Sequence, residues 1–160
     1  KPFVSRPVKP RLQEIVEFAG KMGYRRLGVV FCDGLRREAV AVTRVLEQQG
    51  FDVVSVVCKV GGVPKEQIGI TQQQKIRIGE EETMCNPIAQ AGVLNRARTE
   101  FNILIGLCVG HDSLFFKHAE AYTTVLAAKD RVLGHNPLAA LYTLGSYSGW
   151  LLCPGMGQQG

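Results

Sequence analysis

Apolar positions along the first sixty residues switch period several times, and each switch marks an element. In residues 11–23, RLQEIVEFAGKMG, the apolar positions Leu12, Ile15, Val16, Ala19 and Met22 recur at helical spacing, and Gly23 supplies a stop. RRLGVVFC then runs almost continuously apolar, as a strand buried on both faces does. Residues 34–49 return to the helical period and end at Gly50, and FDVVSVVCKV is a second buried strand. Asn86 with Pro87 predicts a helix start, an Asn cap followed by Pro at the first helical position. FNILIGLC reads as a third strand, LFFKHAE as a short helical piece and AYTTVLAA as a fourth strand. HNPLAALYTL opens a last helix with the same Asn-Pro pair.

Helices alternating with continuous apolar strands predict βαβ units, joined by right-handed crossovers into a parallel sheet covered on both faces. The expected fold is α/β, a three-layer doubly wound (Rossmann- or flavodoxin-like) sheet of about four to five strands. The first four strands take the order 2-1-3-4. Residues 1–10 read as an extended arm, 11–144 as the single α/β domain, and the glycine-rich residues 145–160 as a loosely ordered tail. Between positions 61 and 84, GGVPKEQIGITQQQKIRIGEEETM has no strong period. A connection that long is either a functional lid or a disordered surface excursion, and the pattern leaves both open.

Composition narrows the class. The longest apolar runs fall well short of the ~20 residues a membrane helix needs. The net charge of +5 comes from small separated groups, Arg25-Arg26, Arg36-Arg37 and Arg96 with Arg98, which predict solvated faces and no nucleic-acid partner. The opening KPFVSRPVKP has no apolar signal region, and its lack of a methionine points to residues removed upstream. Five cysteines, an odd number in a chain large enough to do without disulfides, predict a reducing, cytoplasmic compartment.

Where the cysteines fall changes the picture most. Cys32, Cys58 and Cys108 lie at or near the ends of the first three strands, and Cys85 directly precedes a capped helix. In a 2-1-3-4 sheet all four reach the carboxyl edge, beside the topological switch point where open α/β sheets bind ligands. The bland alternative is that they are small hydrophobes filling the core. Helix starts at Cys32, Cys85 and Cys108 favour thiolate over thiol. The echo between CNPIAQA and HNPLAAL would aim His135 at the same crevice, and Lys59, Asp112, Lys129 and Asp130 fall at the same edge.

Thiolates select soft metals. The chain lacks the closely spaced cysteine knuckles of structural zinc sites. Four cysteines on separate loops suit an iron–sulfur cluster, [4Fe–4S] by their number, over zinc. The expected ligands are Cys32, Cys58, Cys85 and Cys108, with His111 and His135 as further ligands or acid–base groups; a small-molecule ligand could join the metal. A second reading is a thiol enzyme in which Cys108 and His111 form the reactive pair and Asp112 orients the ring. Cys32 with its arginines does not make a phosphatase loop, because the position six residues on is Glu38. No phosphate-binding glycine motif is present. A third reading is a non-catalytic interaction module with buried cysteines.

The strings GVVFCDGLRREA, FDVVSVVCKVGGVPKEQIGI, MCNPIAQAGVLN, FNILIGLCVGHDSLFFKH and VLAAKDRVLGHNPLAALY together resemble the prokaryotic domain of unknown function 1847, described as predicted metal-binding proteins. The likeness runs over residues 11–144. It implies a metal role for Cys32, Cys58, Cys85, Cys108, His111 and His135, and supplies no reaction or substrate. Family members also carry a cysteine-rich segment upstream, and Cys153 lies outside the matched strings.

Overall fold

A computed structural model describes residues 8–153. Four parallel strands, β1 (Arg26–Phe31), β2 (Asp52–Val57), β3 (Phe101–Ile105) and β4 (Tyr122–Ala127), form one sheet in the order β2-β1-β3-β4. Register is continuous from Arg26 opposite Asp52 to Phe31 opposite Val57, so β1 and β2 end together. Phe31 also stands opposite Ile105, which brings β3 to the same edge.

Because side chains alternate across a strand, each strand feeds two cores. Leu27, Val29, Phe31, Phe101, Ile103 and Ile105 point to one face. There they meet Ile15 and Ala19 of α1 (Arg11–Lys21) and Ala39, Val42 and Leu46 of α2 (Arg36–Gln48). Val30, Val56 and Leu104 point to the other, against Ala91 and Leu94 of α3 (Pro87–Arg96) and Phe115 of α4 (His111–His118). Gly28 lies on this second face, and a Cβ there would run into the Asn102 side chain, whose Oδ1 accepts from the Thr99 hydroxyl at 2.7 Å. Gln90 ties α3 to the sheet end, its Nε2 donating to the carbonyls of Phe31 (3.2 Å) and Val56 (3.0 Å).

Three local expectations shift. The helix after β3 starts at His111, earlier than LFFKHAE suggested, because Asp112 Oδ1 accepts from the Gly110 and Ser113 amides and closes the turn around its start. The two Asn-Pro pairs behave differently. Asn86 Oδ1 caps α3 by accepting from the Ala89 amide at 2.9 Å. Asn136 makes no such bond, and α5 is only Leu138–Tyr142, behind Pro137. The tail is partly built: a 3₁₀ turn spans Gly149–Leu152, and Thr143 and Ser148 share a 2.7 Å hydroxyl bond. Arm residues 1–7 and tail residues 154–160 lie outside the described residues.

The 61–84 segment is a folded excursion. Two 3₁₀ turns, Lys65–Ile68 and Gln72–Gln74, lie within it, and an antiparallel bridge joins Pro64 to Thr83. Ion pairs Lys65–Glu82 and Lys75–Glu66 hold it from inside.

Candidate functional site

Backbone bonds carry the sulfurs to one place. Cys32 extends β1 by one residue, its amide donating to the Ile105 carbonyl at 3.2 Å, and its carbonyl starts the turn into α2 by accepting from Leu35. Cys58 extends β2 likewise, donating to the Phe31 carbonyl at 2.9 Å. The Cys58 carbonyl then accepts from the Asn86 amide at 2.7 Å, which draws the neighbouring Cys85 alongside. The sulfurs of Cys58 and Cys85 stand 3.6 Å apart. Cys108 lies three residues beyond β3, after a bend at Gly106, and its carbonyl accepts from the His111 and Asp112 amides that begin α4.

All four cysteines line one cavity of about 770 Å³, together with His111, Lys59 and Lys129. Cys32 and Cys58 are buried; Cys85 and Cys108 are half-buried. From the loop after β4, the Lys129 ammonium donates to Cys32 Sγ at 2.6 Å and to Cys108 Sγ at 3.3 Å. Cys58 Sγ accepts from the Asp33 amide at 3.3 Å.

These contacts set the protons. The hydrogen bond from Cys58 and the Lys129 ammonium together overcome burial and pull the Cys32 thiol down to about 4. Cys58 is pushed up, first because its proton is the one shared with Cys32 and then because it is buried. Burial works against charge on Lys129, yet its bonds to Cys32 and Cys108 prevail and raise its affinity for the proton. At neutral pH the site therefore holds a Cys32 thiolate, a Cys58 thiol and a Lys129 ammonium.

The remaining candidates separate. His111 lines the cavity, but its bond to Cys108 is through its backbone amide, and Cys108 Sγ is served by Lys129 instead. Asp112, Asp130 and His135 are not among the lining residues. Asp112 closes the α4 turn, while Asp130 Oδ1 accepts from the Val132 and Leu133 amides. His135, at a φ of 65°, folds back on that turn: its Nδ1 accepts from the Asp130 amide at 3.1 Å. Among the described residues, no three His, Cys, Asp or Glu side chains gather closely enough to hold a single ion.

Sequence reasoning did not single out the cavity's far wall. Lys65, Ile68, Ile70, Ile76, Arg77 and Met84 come from the 61–84 excursion, and Arg131 from the loop after β4. The available signal was the isoleucines spaced through an otherwise polar loop.

Comparison with known proteins gives a lineage and no activity. A family model described as "Protein of unknown function (DUF1847)" matches residues 5–126, a span that holds the four cavity cysteines and His111 and stops short of Lys129 and His135. An uncharacterized protein of Methanocaldococcus jannaschii is 48% identical over 135 residues, covering 84% of this chain and 68% of that protein.

Proposed function

The chain belongs to the DUF1847 family, and on that premise we propose that it is a metal-binding protein whose Cys32, Cys58, Cys85 and Cys108 hold a soft metal centre, an iron–sulfur cluster in preference to zinc. One observation carries this reading: four thiols from four separate segments line a single cavity at the carboxyl edge of the sheet. Thiolate is the form that ligates soft metals; the Cys32 thiol is pulled down to about 4, and Cys58, pushed up, would release its proton on ligation.

The preference for a cluster rests on the number of thiols and their placement on four separate segments, the usual ligation of [4Fe–4S]. A mononuclear zinc needs its sulfurs about 2.3 Å from one point. The contact between Cys58 and Cys85 suits that, but an ammonium group stands between Cys32 and Cys108. The close Cys58–Cys85 pair would have to part for each sulfur to take its own iron. Such a cluster would supply one-electron chemistry. Lys129 would keep its present role, donating hydrogen bonds to sulfur, one of the means by which a protein adjusts a cluster's potential.

Iron, inorganic sulfide and zinc analysis of anaerobically purified protein tests the proposal. About four irons with matching sulfide per chain is the expected result. Replacement of Cys108 by Ala should sharply reduce that content, and unchanged stoichiometry would remove Cys108 from the ligand set.

A second reading has its own observation. The hydrogen bond from Cys58 and the Lys129 ammonium 2.6 Å from Cys32 Sγ together favour a Cys32 thiolate without any metal, and a metal-free protein could use it as a nucleophile. Metal-free protein with one thiol that alkylates rapidly would favour this reading, with Cys32 in place of Cys108 as the reactive sulfur.

A further inference from the structure

We propose that the cavity above the thiols binds a small organic anion, its acidic group held by Lys59 and Arg131 and its apolar body by the isoleucines of the 61–84 excursion. The inference goes beyond the metal reading and does not depend on whether the sulfurs carry a centre.

Charge comes first. Two carboxylates line the cavity, those of Asp33 and Glu82, and both are engaged. Asp33 accepts from Arg36 at 3.0 Å, while Glu82 accepts from Lys65 and from the Arg77 amide. Among the lining cations, Lys65 pairs with Glu82, Arg77 with Glu80 at 3.2 Å, and Lys129 with sulfur. Among the described residues, Lys59 makes a long 3.4 Å bond to the Thr83 carbonyl and no ion pair, and Arg131 has no carboxylate partner. Among the described residues, two cations without a carboxylate partner therefore line one cavity, and a concave wall concentrates their field.

The second observation is independent of charge. Ile68 and Ile76 line the same cavity while 53% and 86% exposed. A metal accounts for sulfur; it has no use for exposed isoleucine. An apolar body placed against these side chains would remove their surface from water, while an acidic head meets the cations. The volume of about 770 Å³ is of the size that takes a small organic molecule.

The full chain as purified can be titrated with the fluorescent probe anilinonaphthalene sulfonate, an aromatic anion. Saturable binding near one per chain is expected, weakening as salt rises. In the double variant Lys59→Gln, Arg131→Gln, affinity should fall about tenfold or more. Both residues are exposed, so the fold should survive, which unchanged far-ultraviolet circular dichroism would verify. Phenylacetate or phenyl phosphate should displace the probe where benzyl alcohol does not. Undiminished binding by the double variant, displacement by benzyl alcohol equally well, or no saturable binding would each overturn the proposal. Because a centre on the sulfurs would share the cavity, the same titrations on chelator-treated, metal-free protein keep this outcome separate from the metal reading.

Discussion

Lys129 reaches from the loop after β4 to two sulfurs, and removing its charge while keeping most of its length isolates what it does there. In metal-free, reduced Lys129→Met, the Cys32 midpoint should climb from about 4 toward the ordinary thiol range, read from the ultraviolet absorbance of the thiolate against pH. A midpoint that does not move would mean that Cys58 alone holds the charge. The same protons reach stability through linkage. Cys32 in the folded chain loses its proton well below an unfolded thiol at about 8.5, so in that window the unfolded chain binds more protons. The stabilisation from this group is complete above the unfolded value and is lost as pH falls toward about 4. Cys58, pushed up, acts in the opposite sense and withdraws stability only above the ordinary thiol range. Urea unfolding of the metal-free protein should accordingly show stability rising from acid to mildly alkaline pH, with that slope reduced in Lys129→Met.

Two short stretches support the crevice without touching any ligand. Gly106 bends the chain between β3 and Cys108 at a φ of 60°, where a Cβ would collide with the Leu35 side chain. Gly106→Ala combines a left-handed backbone with overpacking, and a loss of about 1–3 kcal/mol is expected by denaturant unfolding. In the 61–84 excursion the Lys75 side chain is buried, bonded to Glu66 and, at 2.8 Å, to the Glu80 carbonyl. Lys75→Ala should open this excursion to limited proteolysis between 65 and 82 while the global melting transition stays nearly in place. Coincident loss of both would show that the excursion and the sheet unfold together. The alternation of apolar runs was enough to read the strands and their order, because buried parallel strands leave little freedom in pattern. It also took Cys32, Cys58, Cys85 and Cys108 to one edge: Cys32 and Cys58 follow strand ends in register, Cys108 follows β3, and Cys85 precedes the capped helix. The excursion was not legible, because its structure rests on ion pairs and short 3₁₀ turns that carry no period. His135 was misleading for a related reason: identical Asn-Pro letters cap a helix at Asn86 and not at Asn136.

Taken whole, the molecule is one sheet between two cores whose carboxyl edge carries nearly all of its unusual chemistry. A centre bound there would favour the folded state over the unfolded one. Chelation of the purified protein should therefore lower its melting temperature, and reloading should restore it; a melting temperature indifferent to metal would argue against binding by the folded site. No helix among the described residues is long and apolar enough to cross a membrane. One feature of the backbone reaches further than the site. The Asn86 amide bonds to the Cys58 carbonyl, and the Met84 amide to the Val63 carbonyl, so the excursion is cinched shut at its base. The sulfurs at Cys58 and Cys85 are thus tied to each other outside the segment between these feet. That makes the sulfur edge a chassis held by backbone bonds and residues 64–83 a part mounted on it. A graft that replaces 64–83 with a short turn should leave metal content intact and alter only which small molecules enter.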